Sequence, residues 1–96
     1  MTAGGCSARL VRRIERDFPP SQRAQAERTL GALLPESDPA GRERIQAAVL
    51  INAAGNPDRL EREAREVAID WRDVLMAADL GFDDWPARVD AFLDEG

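Results

Sequence analysis

The sequence predicts an all-α fold, a compact single-domain bundle of about five or six short helices around a central helix near residues 42–54. Three observations carry that prediction. Wound as a helix, the stretch from Ile45 to Ala54 is apolar nearly all the way round its axis from Ala47 onward, and such a helix has to be enclosed by its neighbours. Proline, glycine and Ser/Asp/Asn punctuation cuts the rest of the chain into segments whose apolar residues recur at helical spacing, and none follows a strand pattern. Finally, 96 residues suffice for a single core and are too few for a second.

Residues 1–6 read as a flexible tail and residues 7–96 as the domain. Ser7 is placed to cap a first helix ending near Phe18, because Pro19-Pro20 forbids continuation. At about 100° per residue, Leu10, Val11, Ile14 and Phe18 share one side, and Arg9, Arg12, Arg13 and Arg16 form a ridge on the other. A second helix starts at Pro20-Ser21 and runs to Leu34, with Ala26, Leu30, Leu33 and Leu34 as its apolar positions; Gly31 weakens it by roughly 1 kcal/mol. After a turn over residues 35–39, Asp38 and Pro39 read as cap and first position of the central helix. Gly55 stops that helix in a left-handed cap. Asn52 is its odd member, since a buried amide is unfavourable unless hydrogen-bonded; a bond to a backbone group or a neighbouring loop is the expected outcome, ahead of a ligand contact.

Asn56-Pro57 restarts the chain as cap and first helical position. Residues 59–67 are laced with opposite charges, including Asp58 with Arg62, Glu61 with Arg65 and Arg62 with Glu66, each pair contributing about 0.2–0.5 kcal/mol. A stripe of Leu60, Ala64, Val67, Trp71, Val74, Leu75 and Ala78 continues to about Asp79. On one unbroken helix Ile69 and Met76 would face away from that stripe. The spacing therefore favours a break near Asp70, whose carboxylate would cap a new helix from Trp71 and let both residues turn inward. Gly81 reads as the next stop. Asp83 or Asp84 then caps a last helix, with Pro86 in its first turn and Trp85, Val89, Phe92 and Leu93 as its stripe.

Composition restricts the chemistry. There is no histidine, so a Ser-His-Asp or Cys-His nucleophile is excluded in its usual form, and zinc lacks a ligand cluster. Among the eighteen acids no pair is singled out for acid–base work, and the run from Asp79 to Asp84 lacks the ligand spacing of a calcium loop. No catalytic residue, metal site or cofactor is expected. With a single cysteine, Cys6, no room for a secretion signal before it and no apolar run near the ~20 residues of a membrane span, the expected location is the cytoplasm.

What remains is surface. Residues 1–48 carry eight arginines against six acids, and residues 49–96 five against twelve, within a net charge of −5. The arginine ridge reads first as a solvated face. Its sharper reading is docking onto an acidic surface, that of the chain's own C-terminal region or of a second copy. Around Asp70-Trp71-Arg72-Asp73 a core tryptophan flanked by solvated charges competes with an aromatic–arginine partner surface. Arg44-Ile-Gln-Ala-Ala-Val-Leu50, Gly55-Asn-Pro-Asp-Arg-Leu60 and Asp70-Trp-Arg-Asp-Val-Leu75 together resemble a family of short uncharacterised bacterial all-helical proteins, over about residues 42–80. The resemblance implies a helical fold and a bacterial source and brings no activity, ligand or catalytic residue with it. The expected function is a protein–protein interaction or self-associating module without catalysis, its partner another protein or a second copy and not a membrane. Arg9, Arg12, Arg13, Arg16, Ile69, Trp71, Arg72 and Met76 are its candidate contact residues. The alternative is a regulator touching nucleic acid through the ridge, which the acidic second half disfavours.

Overall fold

In the computed structural model of the chain, which describes residues 6–33 and 39–94, five helices follow one another: α1 Ala8–Asp17, α2 Pro20–Gly31, α3 Pro39–Ala53, α4 Pro57–Ala77 and α5 Trp85–Asp94. The fold is all-α. The central segment is α3, packed against α1, α4 and α5, while α2 bridges α1 and α4. Ile45, Ala47, Ala48, Val49, Leu50 and Ala53 are all buried, and the small residues among them leave room for close neighbours. Ile51 and Asn52 are half-buried and only Ala54 reaches the surface. The radius of gyration, 12.0 Å, is close to the ~12.5 Å of a folded domain of this length. No helix among the described residues is long and apolar enough to cross a membrane.

Most helix ends follow the local chemistry. The Ser7 hydroxyl accepts from the Leu10 N–H at 3.3 Å, and Leu10, Ile14 and Phe18 are buried. At α4 the Asn56 side-chain oxygen accepts from the N–H groups of Asp58 (2.9 Å) and Arg59 (3.1 Å). Gly55 takes φ +79 as expected of a left-handed stop, and a Cβ there would lie 3.1 Å from the Asp17 carbonyl oxygen, so glycine is required on two counts. The neighbouring Ala54 is also left-handed, at φ 51.

The start of α2 at Pro20 is where the spacing placed it, with Pro19 as the capping residue. Two ends differ from expectation. Helix α2 ends at Gly31 rather than Leu34, where glycine's poor helix propensity lets the chain leave the helix. Leu34, the turn that follows and the Asp38 cap lie outside the described residues, as do residues 1–5 of the tail. The stop after α4 is Asp79 at φ 64, not Gly81. Its N–H bonds the Met76 carbonyl (3.1 Å) and the Leu80 N–H bonds the Leu75 carbonyl (2.9 Å), the two bonds of a Schellman motif, with Leu80 buried beyond it. Gly81 instead permits close packing, since a Cβ on it would lie 2.5 Å from the Met76 sulfur. At α5, the Asp84 carboxylate binds the Arg88 guanidinium at 2.8 Å.

The break in α4 is where the spacing placed it. Asp70 has φ −155 and ψ 90, and its carboxylate accepts from the Arg72 N–H at 3.2 Å. The consequence differs. Ile69 and Met76 do not turn inward; they are 76% and 52% exposed. Beyond the break Val74, Leu75 and Ala78 take the inward arc, and at about 100° per residue Met76 falls on the opposite side. Residues 68–73 are all exposed, so the break stands out as a knuckle. Asn52 secures it from inside, its amide donating to Glu63 before the break and to the Val74 carbonyl after it, both at 3.1 Å. The expected structural role of Asn52 is thus met. The described ion pairs include none of the three expected along α4; Glu61 turns to the Thr29 hydroxyl (2.8 Å) and the Gln25 amide (3.3 Å) on α2.

Replacing Asp79 by glycine removes the side chain that makes a left-handed residue unfavourable, and is expected to stabilise the fold by about 0.5–1 kcal/mol. Gly81→Ala displaces only the flexible, half-exposed Met76 thioether and is expected to change stability by no more than about 0.5 kcal/mol. Urea denaturation reads both; equal midpoints for the two variants would contradict this assignment of the stop.

Candidate functional site

Large apolar side chains left in water are the first place to look for a contact surface. Four stand out: Ile69, Trp71 (40% exposed), Met76 and Phe82. Ile69 and Trp71 flank Asp70 on the knuckle, and the Arg72 guanidinium lies 5.5 Å from the centroid of the Trp71 ring. Trp71 belongs to the apolar stripe by spacing, yet as the first residue after the break it sits among exposed neighbours and does not anchor the core. Phe82 was not foreseen. Its signal was an aromatic residue in a turn, attached to no helical stripe. The close approach of Gly81 to Met76 sets this turn against the second arm of α4.

The structure divides the arginine ridge in two. Arg9 and Arg13 are engaged within the chain. Arg9 donates to Glu43 at 2.8 and 3.0 Å, to Asp90 at 2.8 Å and to Asp94 at 3.2 Å, so one side chain of α1 ties α3 and α5 together. Arg13 donates to the Phe92 carbonyl at 2.8 Å, pairs with Asp17 at 3.3 Å and lies 4.0 Å from the centroid of the Phe92 ring. Arg12 and Arg16 remain exposed, beside a cleft that Glu15 and Asp94 also line. The solvated-face reading holds for these two alone, while the other two meet the chain's own C-terminal helix.

Ionisation follows from these contacts. The hydrogen bond from Arg9 holds the Glu43 carboxyl below its ordinary value, with the bond from Ser7 (2.6 Å) adding to it. Bonds to Glu43 and then Asp90 raise the already high affinity of Arg9 for its proton. Arg44 is an organising cation that the spacing did not mark. Its Nε donates to the Leu80 carbonyl at 2.9 Å, its guanidinium lies 4.7 Å from the centroid of the Trp85 ring, and burial lowers its pKa. Cys6, assigned to the tail, is half-buried against the core, and its thiol donates to the Glu27 carbonyl at 3.7 Å. Burial, and secondarily Glu27, push that thiol up to about 11.

Among the described residues no three His, Cys, Asp or Glu side chains are grouped so as to hold a metal ion. A cleft of about 210 Å³ between α2 and the start of α4 is lined by Phe18, Gln22, Gln25 and Glu61, with no nucleophile beside a base. Comparison of the chain with protein-family models, with curated proteins and with solved structures finds no match.

Because the Glu43 carboxyl is lowered in the fold, its contribution to stability is present above the ordinary value of 4.5 and disappears as pH falls through the lower folded value. Glu43→Gln is therefore expected to flatten the acid limb of a plot of melting temperature against pH; an acid limb identical to that of the parent chain would contradict the pairing. For Cys6, a rise from 9.0 to about 11 leaves roughly a hundredfold less thiolate at pH 8. Alkylation by iodoacetamide should be slowed at least that much relative to the urea-unfolded chain, and equal rates would show the thiol to be open.

Proposed function

We propose that this protein is a small cytoplasmic interaction module without catalytic activity, which binds another protein or a second copy of itself through the knuckle of α4. One observation carries the reading. In a chain that hides the rest of its described large apolar side chains wholly or in part, Ile69, Trp71, Met76 and Phe82 stay exposed between residues 69 and 82. Exposed apolar side chains close in sequence to a tryptophan with an arginine over its ring have the composition of a contact hot spot. Asp70 and Asp73 supply a charged rim. The absence of histidine supports a non-catalytic role, and the resemblance over residues 42–80 supports a bacterial source.

The nucleic-acid reading draws less support. Arg9 and Arg13 already meet acids and a carbonyl, and Arg12 and Arg16 share their surroundings with Glu15 and Asp94, so little positive potential is left for phosphates.

Size-exclusion chromatography with light scattering, combined with cross-linking in the source lysate, tests the proposal. The parent chain is expected to give a concentration-dependent complex, and Ile69→Ser with Met76→Ser to weaken it at least tenfold with unchanged circular dichroism. A complex of undiminished strength in that variant, or a monomer without any cross-linked partner, would defeat it.

A further inference from the structure

We infer that the occupant of the knuckle is a second copy of the chain, joined across a two-fold axis at Ile69 so that the first arm of α4 in one copy lies against the second arm in the other. The inference rests on the reading of the knuckle as a contact surface and names its partner. It starts from the order of charges in Arg65-Glu66-Val67-Ala68-Ile69-Asp70-Trp71-Arg72-Asp73. Three residues out from Ile69 stand Glu66 on one side and Arg72 on the other; four residues out stand Arg65 and Asp73. At equal separation from Ile69 the charges are opposite. A two-fold axis brings residue i of one copy to residue j of the other, and j to i. With the axis at Ile69, each Arg65 meets the Asp73 of the other copy and each Glu66 meets the other's Arg72, so every pair attracts.

The side chains are placed for it. Before the break, Arg65 and Glu66 lie within about 60° of Ile69 around the helix; after it, Arg72 and Asp73 flank the exposed Met76 in the same way, while Val74 and Leu75 are buried. Arg65 and residues 68–73 are exposed, and Glu66 is half-buried. None of Arg65, Glu66, Arg72 and Asp73 joins an ion pair among the described residues, so their own chain leaves these charges without a counterion. Asp70, beside the axis, already gives its carboxylate to the Arg72 N–H. Ile69, the most exposed of the large apolar residues, meets its own image at the axis and leaves water in both copies. A uniformly acidic or basic surface would attract half of these charges and repel the other half. A second copy in antiparallel register attracts them all. The apex is narrow, so the contact is small and the dimer weak and reversible; because exposed charges hold it, it loosens as salt rises.

Two full-length variants test this. Arg65→Asp with Arg72→Glu makes all four positions acidic, and Glu66→Arg with Asp73→Arg makes them all basic. Each alone is expected to self-associate about tenfold or more weakly than the parent chain, with unchanged circular dichroism. An equimolar mixture is expected to form a heterodimer at least as tight as the parent dimer in sedimentation velocity. Should a double variant lose its helicity, Arg72→Glu and Glu66→Arg make the same comparison at the Glu66/Arg72 pair alone. Homodimers of undiminished strength, a mixture that stays monomeric, or a heterodimer indifferent to Ile69→Ser would each overturn the inference. If the undiminished homodimer is nonetheless lost on Ile69→Ser with Met76→Ser, the knuckle stands as the contact surface and the two-fold pairing alone fails. A parent chain that stays monomeric while it cross-links through the knuckle to a different protein overturns the second copy in the same way.

Discussion

With Ala47, Ala48, Val49, Leu50 and Ala53 all withdrawn from water, α3 has almost no face to offer solvent, and the other helices are arranged to relieve that condition. The two arms of α4, the apolar side of α1 and the stripe of α5 each cover part of it. Its alanines decide how near they come. A larger side chain at Ala47 or Ala48 would push a neighbour outward, because an interior packed this closely has no spare volume.

Burial alone does not say where along α3 each neighbour should rest. That information lies in its polar side chains. Gln46, nearly fully buried, donates to the Leu30 carbonyl in the last turn of α2; Asn52 donates to the Val74 carbonyl beyond the break in α4; and Arg44 donates to the Leu80 carbonyl in the connector to α5. Each bond runs from a side chain of the hub to a main-chain acceptor of a different segment. Gln46, a buried amide, would carry a desolvation penalty of about 1–3 kcal/mol if it missed its acceptor, and the half-buried Asn52 and Arg44 less, so these contacts select one register over its neighbours. The Arg13 bond to the Phe92 carbonyl repeats the device from α1 to α5.

The outer surface inherits this arrangement. By using up its Asp70 as a cap and turning Val74 and Leu75 inward, α4 leaves Ile69, Trp71 and Met76 on the outside. The arginines of α1 divide between Arg9 and Arg13, which latch α5, and the exposed Arg12 and Arg16, and Arg9 meets an acid of its own half of the chain, Glu43, as well as Asp90 and Asp94 of the other. One cation, Arg9, thus fastens the last helix of the bundle to the first and third.

The sequence by itself determined the all-α class, the hub at 45–54, the capping by Ser7 and Asn56, the stop at Gly55 and the break at Asp70. Each depends on backbone groups and side chains a few residues apart, where spacing is a faithful record of contact. It misread the stop at Asp79, because a glycine two residues on offered the commoner left-handed residue while its actual task was to admit the Met76 sulfur. Only the tertiary structure decided that Arg9 would reach Glu43, Asp90 and Asp94, that Arg44 would hold the Leu80 carbonyl, that Cys6 would be packed, and that Ile69, Trp71, Met76 and Phe82 would be left in water. A helical pattern gives the direction in which a side chain leaves its own axis. What stands there depends on the other helices, and for these residues the partner lies tens of positions away along the chain.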